Sequence, residues 1–172
     1  MKPIIIFPWG YKGWGNATGQ LVKAVDAVER ARRFAPPMFV DIRLRREVRA
    51  EGFKGDRFRT TVGGNRYEWM KTLGNEAIAN KSGRMRIADP KASADLLLIA
   101  QEAAKNQQRI LFFCSCKRPK NNTHDVTCHR TEVTRLLLGV AKRESISIEV
   151  VEWPGGTPKA QGLVLRQTLI FG

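Results

Sequence analysis

The chain has 172 residues, enough for one domain with a sizeable core, and its 42% hydrophobic content excludes a disordered protein. It carries 30 Lys and Arg residues against 16 Asp and Glu residues, a formal net charge of +14 at pH 7. This excess favours polyanionic partners such as nucleic acid, although a basic surface without such a partner is the alternative. No apolar run is long enough for a membrane span or a signal-peptide core, so no membrane partner is predicted.

The first part of the chain predicts a strand, a helix and a second strand. A short apolar run predicts a strand from Pro3 to Pro8. Apolar residues at helical spacing predict a helix from about Gly19 to Phe34, with Thr18 as its N-cap. A second apolar run predicts a strand from Met38 to Arg43.

The segment from about Arg45 to Pro90 interrupts this alternation. It is charged and punctuated by glycine, and a short helix is predicted within it around Tyr67 to Leu73. We predict that this segment is an insertion lying over one edge of the sheet.

The last part of the chain returns to alternating elements. Helices are predicted from about Ala92 to Asn106 and from Cys128 to Arg143. Strands are predicted from Arg109 to Cys114 and from Ser145 to Trp153, and the tail GLVLRQTLIFG is predicted to be an edge strand.

These elements predict one α/β domain over residues 1–172, with a basic insertion at about 45–90. The domain has three layers: a mostly parallel sheet of about four to five strands, with helices on both faces. In such a sheet, ligands bind beyond the carboxyl ends of the strands. The residues that follow each strand are therefore the candidates for a functional site.

The loop after the first strand, PWGYKGWGNATG, is rich in glycine and aromatic residues. Backbone without a Cβ allows an anion to approach ahead of a helix N-terminus, although an ordinary turn has a similar glycine content. The residues predicted to bind an anion here are Gly10, Gly13, Gly15 and Asn16. The aromatic residues predicted either to stack on bases or to pack against the insertion are Trp9, Tyr11 and Trp14.

Charged residues follow the second strand. Asp41 and Arg43 are two residues apart in an extended chain and share one face, so they either serve a site or pair with each other. The basic residues predicted to bind phosphate or nucleic acid are Arg43, Arg45, Arg46, Arg49, Lys54, Arg57 and Arg59, with Lys117, Arg118 and Lys120 from a later loop.

The stretch FFCSCKRPKNNTHDVTCHR holds all three cysteines and both histidines of the chain. With Thr127 as N-cap, Cys128 lies in the first turn of a helix beside Arg130, where a thiol ionises readily and an anion binds. Cys114, at the end of an apolar strand, is predicted to be shielded. His129 is predicted to face the sheet as a hydrogen-bonded core residue.

The same stretch has a possible metal-ligand set, Cys114, Cys116, His124 and Cys128. Its spacing is not that of a common zinc finger or ribbon, so no cofactor is predicted and zinc is the less favoured alternative. The odd number of cysteines without a secretory signal predicts a cytoplasmic protein with free thiols. A disulfide between Cys114 and Cys128 is geometrically easier than one between Cys114 and Cys116. The reducing cytoplasm nevertheless disfavours either disulfide.

Four short motifs carry a family resemblance: VDIR after the second strand, LGN at Leu73 to Asn75, FFC, and CHR. With these motifs the chain, over roughly residues 4 to 152, resembles the family catalogued as domain of unknown function 488. Members are small intracellular α/β proteins without an agreed activity. The resemblance implies a shared site, with candidate catalytic residues Asp41, Arg43, Cys114, Cys128, His129 and Arg130.

The chain departs from the family pattern in the cysteine-rich loop. Cys116 stands where members often have an acidic residue, and the loop that follows is longer and contains KRPKNN.

These observations favour a protein that binds nucleic acid or a nucleotide phosphate at the carboxyl-terminal rim of its sheet. One alternative is an enzyme in which Cys128 or Asp41 acts on a nucleotide or nucleic acid and Arg43 and Arg130 hold phosphate. The other alternative is a zinc-stabilised interaction module.

Overall fold

A five-stranded sheet lies at the centre of the protein in its computed structural model, which describes residues 2–80, 85–116, 121–122, 125–126 and 128–154. The strands in chain order are β1 (Ile4–Gly10), β2 (Ala35–Asp41), β3 (Tyr67–Trp69), β4 (Gln108–Cys114), β5 (Asn121–Asn122), β6 (Asp125–Val126) and β7 (Ile148–Val150). Within the central sheet the order is β3-β2-β4-β1-β7, and every neighbouring pair is parallel. The two-residue strands β5 and β6 pair antiparallel outside this sheet.

Helices connect the strands of the sheet. They are α1 (Thr18–Ala31), α2 (Arg57–Val62), α3 (Ala77–Asn80), α4 (Ser93–Lys105) and α5 (His129–Arg143). Three of the four predicted helices are confirmed as α1, α4 and α5, each with ends within a few residues of the prediction. Among the described residues, no helix combines the length and the apolar character that crossing a membrane requires.

Both predicted N-caps are displaced by one residue. Ala17 is the N-cap of α1, so Thr18 lies inside the helix. Cys128 is the N-cap of α5, because its φ of −120° and ψ of 116° are extended and helical angles begin at His129. The predicted cap Thr127 lies outside the described residues.

Side chains alternate between the two faces of the sheet and bury both of them. On one face, Ile110 and Phe112 of β4 pack in a core with residues of α4 and α5, such as Leu96 and Leu137. On the other face, Leu111 and Phe113 pack with residues of α1. The predicted three-layer α/β fold, with helices on both faces of a parallel sheet, is confirmed.

The insertion forms an edge of the sheet instead of lying over it. The predicted helix from Tyr67 to Leu73 is wrong: Tyr67–Trp69 is strand β3, which pairs with β2, and a 3₁₀ turn follows. Two aromatic residues separated by one glutamate match the two-residue period of a strand better than a helix. From this edge, Phe53 and Phe58 join the α1 face, whereas Leu73 joins the opposite face.

The end of the chain is only partly described. The strand predicted from Ser145 to Trp153 is observed as the shorter β7, and Trp153 is buried in the α1-side core. The predicted edge strand in the tail lies outside the described residues.

The order of the strands creates a crevice at the carboxyl ends of β1 and β4. These strands are neighbours, with Gly10 paired to Cys114 at their last residues. The chain leaves β1 toward α1 on one face and leaves β4 toward α5 on the other face. Where successive connections diverge to opposite faces, a parallel sheet leaves a crevice in which ligands bind.

Candidate functional site

All three cysteines meet in this crevice. Cys114 ends β4, Cys116 follows two residues later, and Cys128 is the N-cap of α5. The Cys114 and Cys128 Sγ atoms are 3.6 Å apart, and all three Sγ atoms lie within 4.8 Å of one another. Cys114 and Cys128 are buried, whereas Cys116 is half-buried. We call these residues the three-cysteine cluster.

Gly10 allows the cluster to close over the end of β1. A Cβ built on Gly10 would lie 1.6 Å from the Cys116 carbonyl oxygen and 2.5 Å from Arg130 Nη1. Real Cβ atoms do not approach other atoms so closely, so any larger residue would push the Cys116 backbone away. Gly10 therefore allows the Cys116 backbone to pack against β1, and the space in which an anion was predicted to approach is filled by the protein's own chain.

Arg130 lies inside the crevice and not on the surface. Its residue exposure is 1%, Nη1 donates to the Cys116 carbonyl oxygen at 3.5 Å, and Nη2 forms an ion pair with Glu152 Oε1 at 3.1 Å. Its Nε makes no hydrogen bond with any described residue. Burial raises the pKa of Glu152 to about 7, although the charge of Arg130 opposes this rise. Arg130 thus places a positive charge beside the sulfur atoms.

The three thiols differ in how readily they ionise. Hydrogen bonds from the Cys114 and Cys128 thiols, supported by the positive charges of Arg130 and Lys12, hold the pKa of Cys116 well below its usual value. Hydrogen bonding to Cys116 and Cys128, together with burial, raises the pKa of Cys114. The first proton to leave the cluster is therefore that of Cys116. The sequence predicted Cys128 as the readily ionised thiol and made no prediction for Cys116.

Asp41 and Arg43 form a buried ion pair. Arg43 donates to Asp41 from its backbone N–H at 3.0 Å and from Nε at 2.8 Å, and Nη2 donates to the second carboxylate oxygen. Arg43 Nη1 also donates to Tyr11 Oη at 3.2 Å and to the Phe53 carbonyl at 2.9 Å, and Tyr67 donates its hydroxyl to Asp41 at 2.7 Å. These contacts support the alternative in which the two residues pair with each other and tie the insertion to β2.

His129 anchors α5 to the sheet. Its Nε2 lies 2.9 Å from the backbone oxygen of Ile42, just after β2, and the residue is buried. Burial lowers the pKa of His129, so its neutral imidazole can donate to this carbonyl at neutral pH. The predicted role of His129 as a hydrogen-bonded core residue is confirmed.

The glycine-rich loop packs against the insertion. A Cβ on Gly15 would lie 3.0 Å from Ala50, and the Gly15 carbonyl accepts from Gly52 N–H at 2.8 Å. The cleft beside Gly15 and Asn16 is lined by Glu51, Asp56 and Arg57, and Glu51 and Arg57 form an ion pair there, so its charges are mixed. Gly13 has a φ of 96°, which explains glycine at that position by backbone conformation alone.

The aromatic residues of the same loop are largely buried. Trp9 and Tyr11 are buried, and the Tyr11 ring stacks on Phe53 of the insertion with centroids 4.0 Å apart. Trp14 is partly buried against the same core. Packing against the insertion is confirmed for Trp9 and Tyr11, which cannot also stack on bases.

Apart from the buried Arg43, the described basic residues that the sequence predicted fall into two groups, and the exposed Lys12, which it did not predict, joins the second. Arg46 forms an ion pair with Asp56 at 2.6 Å and Arg57 one with Glu51, so their charges are partly neutralised. The exposed residues for which no ion pair with a described residue is found are Lys12, Arg45, Arg49, Lys54 and Arg59. The predicted residues Lys117, Arg118, Lys120 and His124 lie outside the described residues.

The resemblance-derived residues thus occupy two neighbouring groups. Cys114, Cys128 and Arg130 meet in the crevice, and Asp41 and Arg43 meet beneath the insertion. His129 joins the two through Ile42. Sequence reasoning missed Glu152 as a member of the crevice, although its position two residues after β7 was a signal of the same kind as Asp41 at the end of β2.

Comparison of the chain with protein-family models, with curated proteins and with solved structures finds no match in any of the three. The resemblance to the family of domain of unknown function 488 therefore stays a prediction.

Proposed function

We propose that this protein binds a polyanion, nucleic acid or the phosphate groups of a nucleotide, at the carboxyl-terminal rim of its sheet. The observation that carries the proposal is the group of exposed cations in the loops after β1 and β2 that form no ion pair with any residue the structure describes. Lys12 follows β1, and Arg45, Arg49 and Lys54 follow β2. These loops lie at the same end of a parallel sheet, so the four positive charges face solvent on one rim. The chain's net charge of +14 adds long-range attraction for a polyanion.

Arg130 and Arg43 have other roles in this proposal than the sequence predicted. Both are buried and hold the protein's own groups, so they shape the rim without contacting phosphate. The exposed cations instead make non-specific electrostatic contacts, which carry affinity but no sequence preference. The family likeness, which is a proposal in its own right, agrees with a site at this rim.

Binding to a labelled mixed-sequence oligonucleotide is expected to be about micromolar or tighter at about 50 mM salt and to weaken steeply with added salt. The triple variant R45Q/R49Q/K54Q should bind more weakly, and the slope of log affinity against log salt should fall by about one for each phosphate that is no longer neutralised. Fluorescence anisotropy across a salt series measures both quantities.

A charge-matched control tests the location of the surface. The variant R30Q/K142Q/R143Q removes three exposed positive charges from the carboxyl ends of α1 and α5, which lead into the starts of β2 and β7 at the amino-terminal end of the sheet. It should keep nearly all of the affinity and the slope. Equal losses in the two triple variants would show that net charge alone drives binding and would overturn the proposed rim.

We propose secondly that the three-cysteine cluster binds a zinc ion. In a tetrahedral site with Zn–S bonds of about 2.3 Å, sulfur atoms lie about 3.8 Å apart. The Cys114 and Cys128 Sγ atoms are 3.6 Å apart and Cys116 Sγ is within 4.8 Å of both, which fits one triangular face of such a site. This geometry favours zinc more than the ligand spacing did. His124 remains the sequence-based choice for a fourth ligand.

Protein purified without chelator is expected to contain about one zinc per chain, and removing it should lower the melting temperature because the metal joins β4 to α5. Cys116→Ser should lower the zinc content, and cobalt substitution in the wild type should give the absorption of tetrahedral thiolate coordination. Elemental analysis checks the first result. Substoichiometric metal that does not respond to Cys116→Ser would contradict this proposal.

A further inference from the structure

Without a bound metal, the three thiols of the cluster are free to be oxidised. Cys116 is the most accessible of the three thiols, and two further thiols lie within 4.8 Å of its Sγ atom. An accessible thiol with a second thiol in reach is the arrangement in which oxidation to a sulfenic acid is followed by disulfide formation. We propose that the three-cysteine cluster reduces a hydroperoxide, with Cys116 oxidised first and Cys128 closing a disulfide with it.

Each step balances without further reactants. The Cys116 thiolate attacks a hydroperoxide ROOH, so an S–O bond forms, the O–O bond breaks, and the alcohol ROH leaves after taking a proton. The Cys128 thiol then attacks the sulfenic sulfur, and an S–S bond forms. The sulfenic hydroxyl group takes the proton of the Cys128 thiol and leaves as water. Both electrons come from the two thiols, which end as one disulfide. A cellular thiol would return the pair to its reduced form.

The surroundings support Cys116 as the first sulfur to react. Arg130 donates to the Cys116 carbonyl oxygen, and its buried guanidinium places a positive charge beside the sulfur atoms. Cys114 and Cys128 are both almost fully buried, so a peroxide in solution reaches Cys116 before either of them.

Cys128 is the better partner for the disulfide. Cys114 and Cys116 are separated by a single residue at which the chain bends, so a disulfide between them would close a very small ring and depart from ordinary disulfide geometry. Cys114 is also fixed in the ladder of β4, whereas Cys128 lies outside the sheet at the N-cap of α5. The remaining thiol, Cys114, stays reduced.

The peroxide reaction and the proposed zinc site use the same three cysteines. While the disulfide is present, zinc cannot bind there, because Cys116 and Cys128 are no longer thiolates. The peroxide reaction is independent of polyanion binding at the rim. Bound zinc is expected to slow the oxidation, so the reaction belongs to the metal-free protein.

The test treats metal-free protein with one equivalent of hydrogen peroxide and maps the cysteines by peptide mass spectrometry, with dimedone present to trap sulfenic acid. Wild type should form the Cys116–Cys128 disulfide. Cys128→Ser should accumulate the dimedone adduct at Cys116, and Cys116→Ser should react at least about tenfold more slowly. Cys114→Ser should still form a disulfide between Cys116 and Cys128, but at a different rate, because the Cys114 thiol lies against both of them.

The wild-type peptide map decides the question even if a variant fails to fold. A disulfide between Cys114 and Cys128 with Cys116 reduced would overturn the proposal, and so would no reaction beyond that of a free cysteine. The zinc-loaded protein provides a separate readout: oxidation at an unchanged rate with zinc retained would refute the zinc site but not the peroxide chemistry. Loss of zinc as the disulfide forms supports both.

Discussion

Replacing Asp41 with asparagine is expected to lower the free energy of unfolding by about 3–5 kcal/mol. Asp41 is fully buried and accepts hydrogen bonds from Arg43 and Tyr67. Asparagine has nearly the same shape but no charge, so the buried guanidinium of Arg43 would lose its counter-ion. Urea unfolding followed by far-ultraviolet circular dichroism measures the loss as a lower midpoint with little change in slope.

The matched control for this charge removal is Asp56→Asn. Asp56 also forms an ion pair with an arginine, Arg46, but its side chain is 63% exposed. Solvent screens such a pair, so the control should lose less than about 1 kcal/mol. Similar losses in Asp41→Asn and Asp56→Asn would contradict a structural role for the buried pair. Much lower stability for Asp41→Asn alone would support it.

Replacing Gly10 with alanine is expected to destabilise the protein by roughly 3 kcal/mol and to disperse the three-cysteine cluster. The added Cβ would lie 1.6 Å from the Cys116 carbonyl oxygen, so the backbone there must move away from β1. This movement also pulls Cys116 from Cys128 and breaks the hydrogen bond from Arg130. We therefore expect a lower unfolding midpoint together with weaker zinc binding and slower disulfide formation.

Gly19→Ala is the control for Gly10→Ala. Gly19 lies in the first turn of α1, and a Cβ built there meets no heavy atom within 4 Å. Alanine in a helix is favoured over glycine by about 0.5–1 kcal/mol, so this variant should be slightly more stable than the wild type. If Gly10→Ala kept wild-type stability and zinc content, the close approach over β1 would not control the cluster.

The candidate site was only partly predictable from sequence. The concentration of Cys114, Cys116 and Cys128 in one short stretch, between a strand and a helix, marked the right region. The partners of the charged side chains were not predictable. Arg43 Nη1 donates to Tyr11 and Phe53, and Arg130 forms an ion pair with Glu152. Each of these partners lies in a different segment of the chain from its arginine.

The residues predicted to contact phosphate were likewise only partly predictable from sequence. Arg43, Arg45 and Arg46 look equivalent as a basic run, yet one is buried, one is exposed and one pairs with Asp56. Local patterns report charge but not exposure, because exposure depends on what packs over each side chain.

Apolar periodicity was enough to predict the α/β fold, because it is a local property that distinguishes strands from helices, and their alternation implies a parallel sheet. The sequence also placed the cysteines at the end of β4 and the start of α5. The strand order, the edge position of β3 and the crevice between β1 and β4 could be read only from the folded protein. The same holds for which sulfur atoms meet and which charges are neutralised. These features depend on contacts between distant segments, whose geometry is fixed when both faces of the sheet are buried together.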